Sequence, residues 1–202
     1  MNTQFRFIIL VPHRDAGNLL NKYREKIFAS GFYGACSFPL AAPLARVSKP
    51  FSGEELKELA RNIRSLTKDT DGRILSTGTA LVRCSGHPQA VGQEGADSTA
   101  TNFEQMSFFG PLLNLPAEEG IFPPPARAKI LMSFLPPILC ASLVAPEVSP
   151  MRGEFPAQEE ALSFRAAALA NLVIRPLASG DPNYSLEWKM GPLIWLPAFK
   201  RD

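Results

Sequence analysis

Proline constrains this chain more than any other residue type. It fills 19 of 202 positions, about 9% against a usual share of roughly 5%. Each proline fixes φ and removes a backbone donor, so helix interiors reject it. Many connections must therefore be irregular and extended, and long uninterrupted helices are not expected. The chain is still long enough to bury a sizeable apolar core without disulfide or metal support, as one domain over residues 1–202 or as two small lobes sharing a core. Hydrophobic residues at 46% and charged residues at 20% exclude a largely disordered chain and a coiled coil. With 21 basic and 19 acidic side chains the net charge is +2, too balanced to predict a nucleic-acid surface.

The apolar run Phe7 to Pro12 is short and is followed at once by His13, Arg14 and Asp15, which predicts that no secretory signal is present. Ile130 to Val144 falls short of the roughly 20 residues a membrane helix needs and carries Pro136 and Pro137 in its middle. No membrane role is expected. Cys36, Cys84 and Cys140 are odd in number and widely spaced, which suits free thiols in a reducing compartment and predicts a cytoplasmic protein.

Phe5 to Val11 joins aromatic and β-branched residues without a polar break and reads as a central strand that Pro12 ends. Residues 15 to 30 put Leu19, Leu20, Tyr23 and Ile27 on one face of a helix, with Gly31 as its stop. The clearest local pattern covers 51 to 66. Ser52 and Glu55 have capping-box spacing, Phe51 and Leu56 have staple spacing, and Leu56, Leu59, Ala60 and Ile63 form an apolar stripe. Leu44 to Val47 predicts a short strand. Arg73 to Arg83 predicts a hairpin or a strand bulged at Gly78, and Phe108 to Leu115 another strand. Residues 87–102 lack large apolar side chains and read as an exposed loop, as do 145–156. A buried helix broken at Pro136 is expected over 126–144, and an alanine-rich helix over about 157–167. Leu169 to Leu177 and Leu193 to Phe199 read as the last strands, with a turn at Gly180 to Asn183.

This order, with its capped second helix, resembles the 2H phosphoesterase superfamily of LigT-like 2′-5′ RNA ligases and cyclic phosphodiesterases. The resemblance implies an α+β chain with a duplicated, pseudo-two-fold fold: two antiparallel sheets around a central cleft, with flanking helices. Members carry two H-x-S/T-hydrophobic motifs that face each other across that cleft. The first falls on Ala41-Ala42-Pro43-Leu44. The second falls on Leu169-Ala170-Asn171-Leu172, preceded by Phe164-Arg165. Ala41 and Leu169 stand where the family has its histidines, and Pro43 and Asn171 where it has hydroxyl residues. The family uses one imidazole as base and the other as acid, each commonly worth about 10²- to 10⁴-fold in rate, so family-type phosphodiesterase or ligase activity is not expected.

Only His13 and His87 could serve as imidazole catalysts, and neither has a hydroxyl residue two positions on. Cys84 and His87 offer two metal ligands without a second pair, so no metal site and no cofactor are predicted. The glycines form no phosphate loop, and no G-x-S-x-G elbow occurs. Arg46, Lys49, Arg165 and Arg175 flank the motif-equivalent strands. Period-two alternation puts Arg175 on the face of Leu169 and Asn171, while Arg46 should point away from Ala41 and Pro43. Trp188, Trp195, Tyr184 and Phe199 read as core or rim packing.

The sequence thus predicts an inactive 2H-like protein whose cleft, at Ala41, Pro43, Leu169, Asn171 and Arg175, binds a small anionic or nucleotide-like ligand or a protein partner. Two alternatives stay open. One is phosphoester chemistry with relocated groups led by His13, and the other is an interaction protein using the proline-rich loops at 116–127 and 145–157.

Overall fold

The architecture is built outward from β1 (Thr3–Pro12), whose Phe7, Ile8, Ile9 and Leu10 are completely buried. Such a run can be buried on alternate sides only if both faces of the strand are covered, and β1 is accordingly central. The computed structural model describes residues 3–29, 38–83, 107–115, 118–134, 137, 142–144, 160–176 and 184–196. Those residues form an α+β structure with a nine-stranded open sheet whose pairings are antiparallel. Following β1 are α1 (Arg14–Ala29), β2 (Ala42–Val47), α2 (Gly53–Leu66) and a 3-10 turn, Lys68–Thr70. Then come β3 (Arg73–Arg83), β4 (Ser107–Leu113), and two single-turn helices, α3 (Glu118–Ile121) and α4 (Pro124–Arg127). The last strands are β5 (Ile130–Ser133), β6 (Ser142–Val144), β7 (Ala161–Pro176), β8 (Tyr184–Met190) and β9 (Ile194–Trp195). The sheet runs β5-β2-β1-β7-β3-β4-β6, with β8 and β9 also paired to β7.

Among the described residues, the two helices longer than one turn lie on the same face of the sheet. Leu19, Leu20 and Ile27 of α1 and Leu56, Leu59 and Ile63 of α2 pack with Ile8, Leu10, Leu44 and Ala45. The start of α2 follows from its sequence. The Ser52 hydroxyl accepts from the Glu55 amide, the Glu55 carboxylate accepts from the Ser52 amide, and Phe51 and Leu56 are both buried. Lys129 then clips this helix end to the turn leading into β5. Its Nζ lies 2.6 and 2.7 Å from the Glu55 oxygens, and its carbonyl accepts from the Ser48 amide at 2.8 Å.

The opposite face is aromatic. Phe5, Phe7, Ile9 and Val11 of β1 meet Phe38, Phe108, Phe134, Ala166, Ala168 and Ala170 there. The Phe7 ring lies 6.1 Å from those of both Phe38 and Phe108. In a flat sheet β1 and β4, separated by two strands, would stand about 14 Å apart. The sheet must therefore curl. β3 provides the bend, pairing with β7 through Arg73 to Leu75 and with β4 from Ser76 onward, with a register irregularity between Ser76 and Thr79 beside Gly78.

Three expectations are corrected. The described part of 126–144 holds the end of α4, then β5 and β6, rather than a broken helix, because prolines and β-branched residues suit short edge pairings better than a helix interior. The alanine-rich stretch up to 167 belongs from Ala161 onward to the 16-residue strand β7. Ala166, Ala168 and Ala170 share one face with Phe7, Phe38 and Phe108, while Ala167 packs on the helix face, so packing overrides helix propensity. β8, with Glu187 and Lys189 3.4 Å apart, fills the interval read as turn and irregular chain before Leu193. The loops at 87–102 and 145–156, Gly31, His87 and all three cysteines lie outside the described residues. No helix among the described residues is long and apolar enough to cross a membrane.

Candidate functional site

β1 ends where its apolar run meets Pro12, and the chain turns directly into α1. His13 donates its amide to the Ser163 carbonyl at 2.8 Å, and its own carbonyl accepts from Gly17 at 2.9 Å to open the helix. The Asp15 carboxylate accepts from the amides of Ala16 at 2.8 Å and Ser163 at 3.2 Å. Its charge thus serves to staple the helix start to β7 and to offset the helix dipole. Asp15 Oδ1 also lies 3.9 Å from His13 Nδ1.

Beside this junction is a concavity of about 350 Å³ over the end of β1, lined by His13, Arg14, Asn18, Asn21, Leu40 and Arg165 among others. Arg14, Asn18 and Asn21 are spaced four and three residues apart, so one stripe of α1 supplies all three. The opposite stripe, Leu19, Leu20 and Ile27, is buried. Gly17 lies at the same wall and leaves it low, since a Cβ there would meet nothing within 4 Å.

Arg165 reaches the concavity through a β-bulge. Val11 pairs with Ala166 but Pro12 pairs with Phe164, leaving Arg165 as the extra residue. A bulge re-aims the side chain it carries. The Arg165 guanidinium is exposed and stands 5.8 Å from the centroid of the Trp195 ring, while its carbonyl accepts from Leu196 at 2.9 Å. Neither Arg14 nor Arg165 has a carboxylate partner among the described residues. Two guanidinium groups without a carboxylate partner among the described residues, with an imidazole beside them at a helix N-terminus, form a donor-rich wall suited to an anion. No group of three or more His, Cys, Asp or Glu side chains among the described residues could hold a metal ion.

The motif-equivalent positions sit elsewhere. β2 and β7 flank β1, with Ile9 between Pro43 and Ala168, and Ile8 between Ala45 and Leu169. Ala41 is fully buried in the aromatic cluster, and Pro43, buried opposite Ile9, shares that face. Leu169 packs on the helix face, and Asn171, two positions on and paired with Arg6, follows it there. The structure therefore does not bring these four residues together over one cleft. Arg175 lies in β7 opposite Ser185. Arg46 shares the face of Pro43 instead of opposing it, with its guanidinium 4.6 Å from the Phe5 ring centroid. The register slip between Ile8 and Ile9 leaves Leu44 unpaired and resets the alternation. Lys49 is exposed outside the concavity.

Of the groups around the concavity, His13 and Arg14 stand out in the sequence as a polar pair directly after a strand, and Arg165 as a residue flanking the second motif position. Asn18 and Asn21 carry a usable pattern, a polar stripe in register with Arg14. Leu40 comes from the fold alone. No protein-family model, no curated protein and no solved structure matches the chain.

Proposed function

We propose that this chain is a non-catalytic protein of 2H-phosphoesterase-like, two-lobed build that binds a small anionic ligand in the concavity between β1, α1 and the β7 bulge. The convergence of Arg14 and Arg165, both free of carboxylate partners among the described residues, carries this reading. The likeness to that superfamily is supported by the early strand-helix-strand-helix order, by β2 and β7 flanking one central strand, and by the curl of the sheet over β1. Absence of family-type catalysis is supported by the surroundings of the motif positions. Ala41 and Pro43 face aromatic rings, and neither they nor Leu169 and Asn171 can transfer a proton. A cytoplasmic location belongs to the same proposal and rests on the cysteine pattern.

Thermal unfolding in the presence of inorganic phosphate and of 2′,3′-cyclic AMP tests the reading. Both should raise the melting temperature of the natural protein in a saturable way. Both should fail to do so in the Arg14→Ala/Arg165→Ala double variant, and the cyclic nucleotide should be recovered intact. Absence of any shift, or an equal shift in the double variant, would refute it.

The contact between His13 and Asp15 favours a second reading, in which His13 is a lone acid or base acting on an ester held by the arginines. It requires turnover of 2′,3′-cyclic AMP that His13→Ala abolishes.

A further inference from the structure

Trp195 is 62% exposed, more than any other large apolar side chain among the described residues. Solvent exposure of an indole forfeits much of the stabilisation its burial would give. Its backbone is nevertheless held in place. Trp195 pairs with Ala166, next to the bulge, and the following amide, Leu196, donates to the Arg165 carbonyl. This pairing places the indole beside Arg165, whose guanidinium both lines the concavity and stands 5.8 Å from the ring centroid. A cation beside an exposed aromatic face is an arrangement that takes an anion and a planar group attached to it.

We infer that the anion bound here carries a planar aromatic group, and that the ligand class is a nucleoside monophosphate. This rests on the anion-binding reading above and specifies its ligand. Arg14 and Arg165 take the phosphate, and Trp195 stacks on the base. Asn18 and Asn21 supply neutral donors and acceptors between them. A concavity of about 350 Å³ is at the small end of the range for such sites, which suits a mononucleotide whose base lies outside it against the indole.

Calorimetric titration of adenosine 5′-monophosphate, ribose 5-phosphate and inorganic phosphate separates the two levels of the claim. The nucleotide should bind about tenfold more tightly than ribose 5-phosphate, a modest share of the usual stacking contribution. Trp195→Ala should remove that advantage and leave ribose 5-phosphate unchanged, while Trp195→Phe should keep most of it. Because the side chain is exposed, these variants should fold, and unchanged ribose 5-phosphate binding verifies it. Equal affinity of nucleotide and sugar phosphate, or equal weakening of both in Trp195→Ala, would overturn the inference and leave the anion site standing. No binding of any of the three compounds would remove the anion site and the inference with it.

Discussion

The aromatic face of the sheet and the mouth at the end of β1 are made largely by the same two strands, yet their chemistry is opposite. On the face, Phe7 of β1 and Ala168 and Ala170 of β7 are buried under Phe38 and Phe108. At the mouth, the strands' last pairings slip by one residue and turn Arg165 outward beside His13 and Arg14. The difference shows how little separates a packed interior from a ligand wall. A single bulge, where one strand meets a helix start, converts an alternating apolar ladder into an exposed cationic rim. It also separates resemblance from chemistry, because the first motif position falls within the aromatic face and the two arginines of the concavity lie outside it.

Several substitutions would break or sharpen that contrast. The largest effect should come from Phe7→Ala, which removes a fully buried ring that meets Phe38, Phe108, Phe134 and Trp188 among the described residues. It should cost about 3–5 kcal/mol in chemical denaturation. A loss under about 1 kcal/mol would mean that the aromatic face is not a packed core. Ala41→His restores the family's imidazole at the first motif position, but in the wrong surroundings. Overpacking and an unpaired ring nitrogen should lower stability by about 1–3 kcal/mol without producing phosphodiesterase activity, and gained turnover would contradict the contrast directly.

Away from both regions, Ser52→Ala should cost about 1 kcal/mol through the lost cap of α2, seen as a lower denaturation midpoint at unchanged slope. The neighbouring Glu55 gives a pH signature. Burial pushes its carboxyl up, but the Lys129 ammonium and the Ser52 amide and hydroxyl outweigh that effect and hold it below its ordinary value of 4.5. Since the folded value is depressed, the stabilisation is complete above pH 4.5 and is lost as pH falls through the folded value. Glu55→Gln should therefore flatten the acid side of the stability profile, and an unchanged profile would show that the clip to Lys129 contributes nothing. The smallest stability effect belongs to the mouth. Arg14→Ala and Arg165→Ala should each stay within about 0.5 kcal/mol of the natural protein while weakening anion binding, so that binding and folding can be separated there as they cannot on the aromatic face.

What the sequence revealed divides along the line between local and long-range causes. α2 was legible because its cap, staple and stripe are all set within residues 51 to 63. β1 was legible from its unbroken apolar run. β7 is legible from Leu169 onward but not before it, because its first alanines carry helix propensity locally and are held in a strand only by pairing with β1 and β3. Alternation alone puts Arg46 on the wrong face because it assumes an uninterrupted register, and the bulge at Leu44 arises from pairing with β1. The mouth was half legible for the same reason. His13 and Arg14 are adjacent in the chain, whereas Arg165 joins them through a bulge that no single segment encodes.

The central claim is that the ligand wall lies at the mouth and not on the aromatic face. Mapping backbone amide resonances while phosphate is titrated tests it most directly. Shifts confined to residues 12–18 and 163–166 are the expected result. Shifts centred on Phe7, Ala41 and Ala170, with the mouth unmoved, would contradict the account.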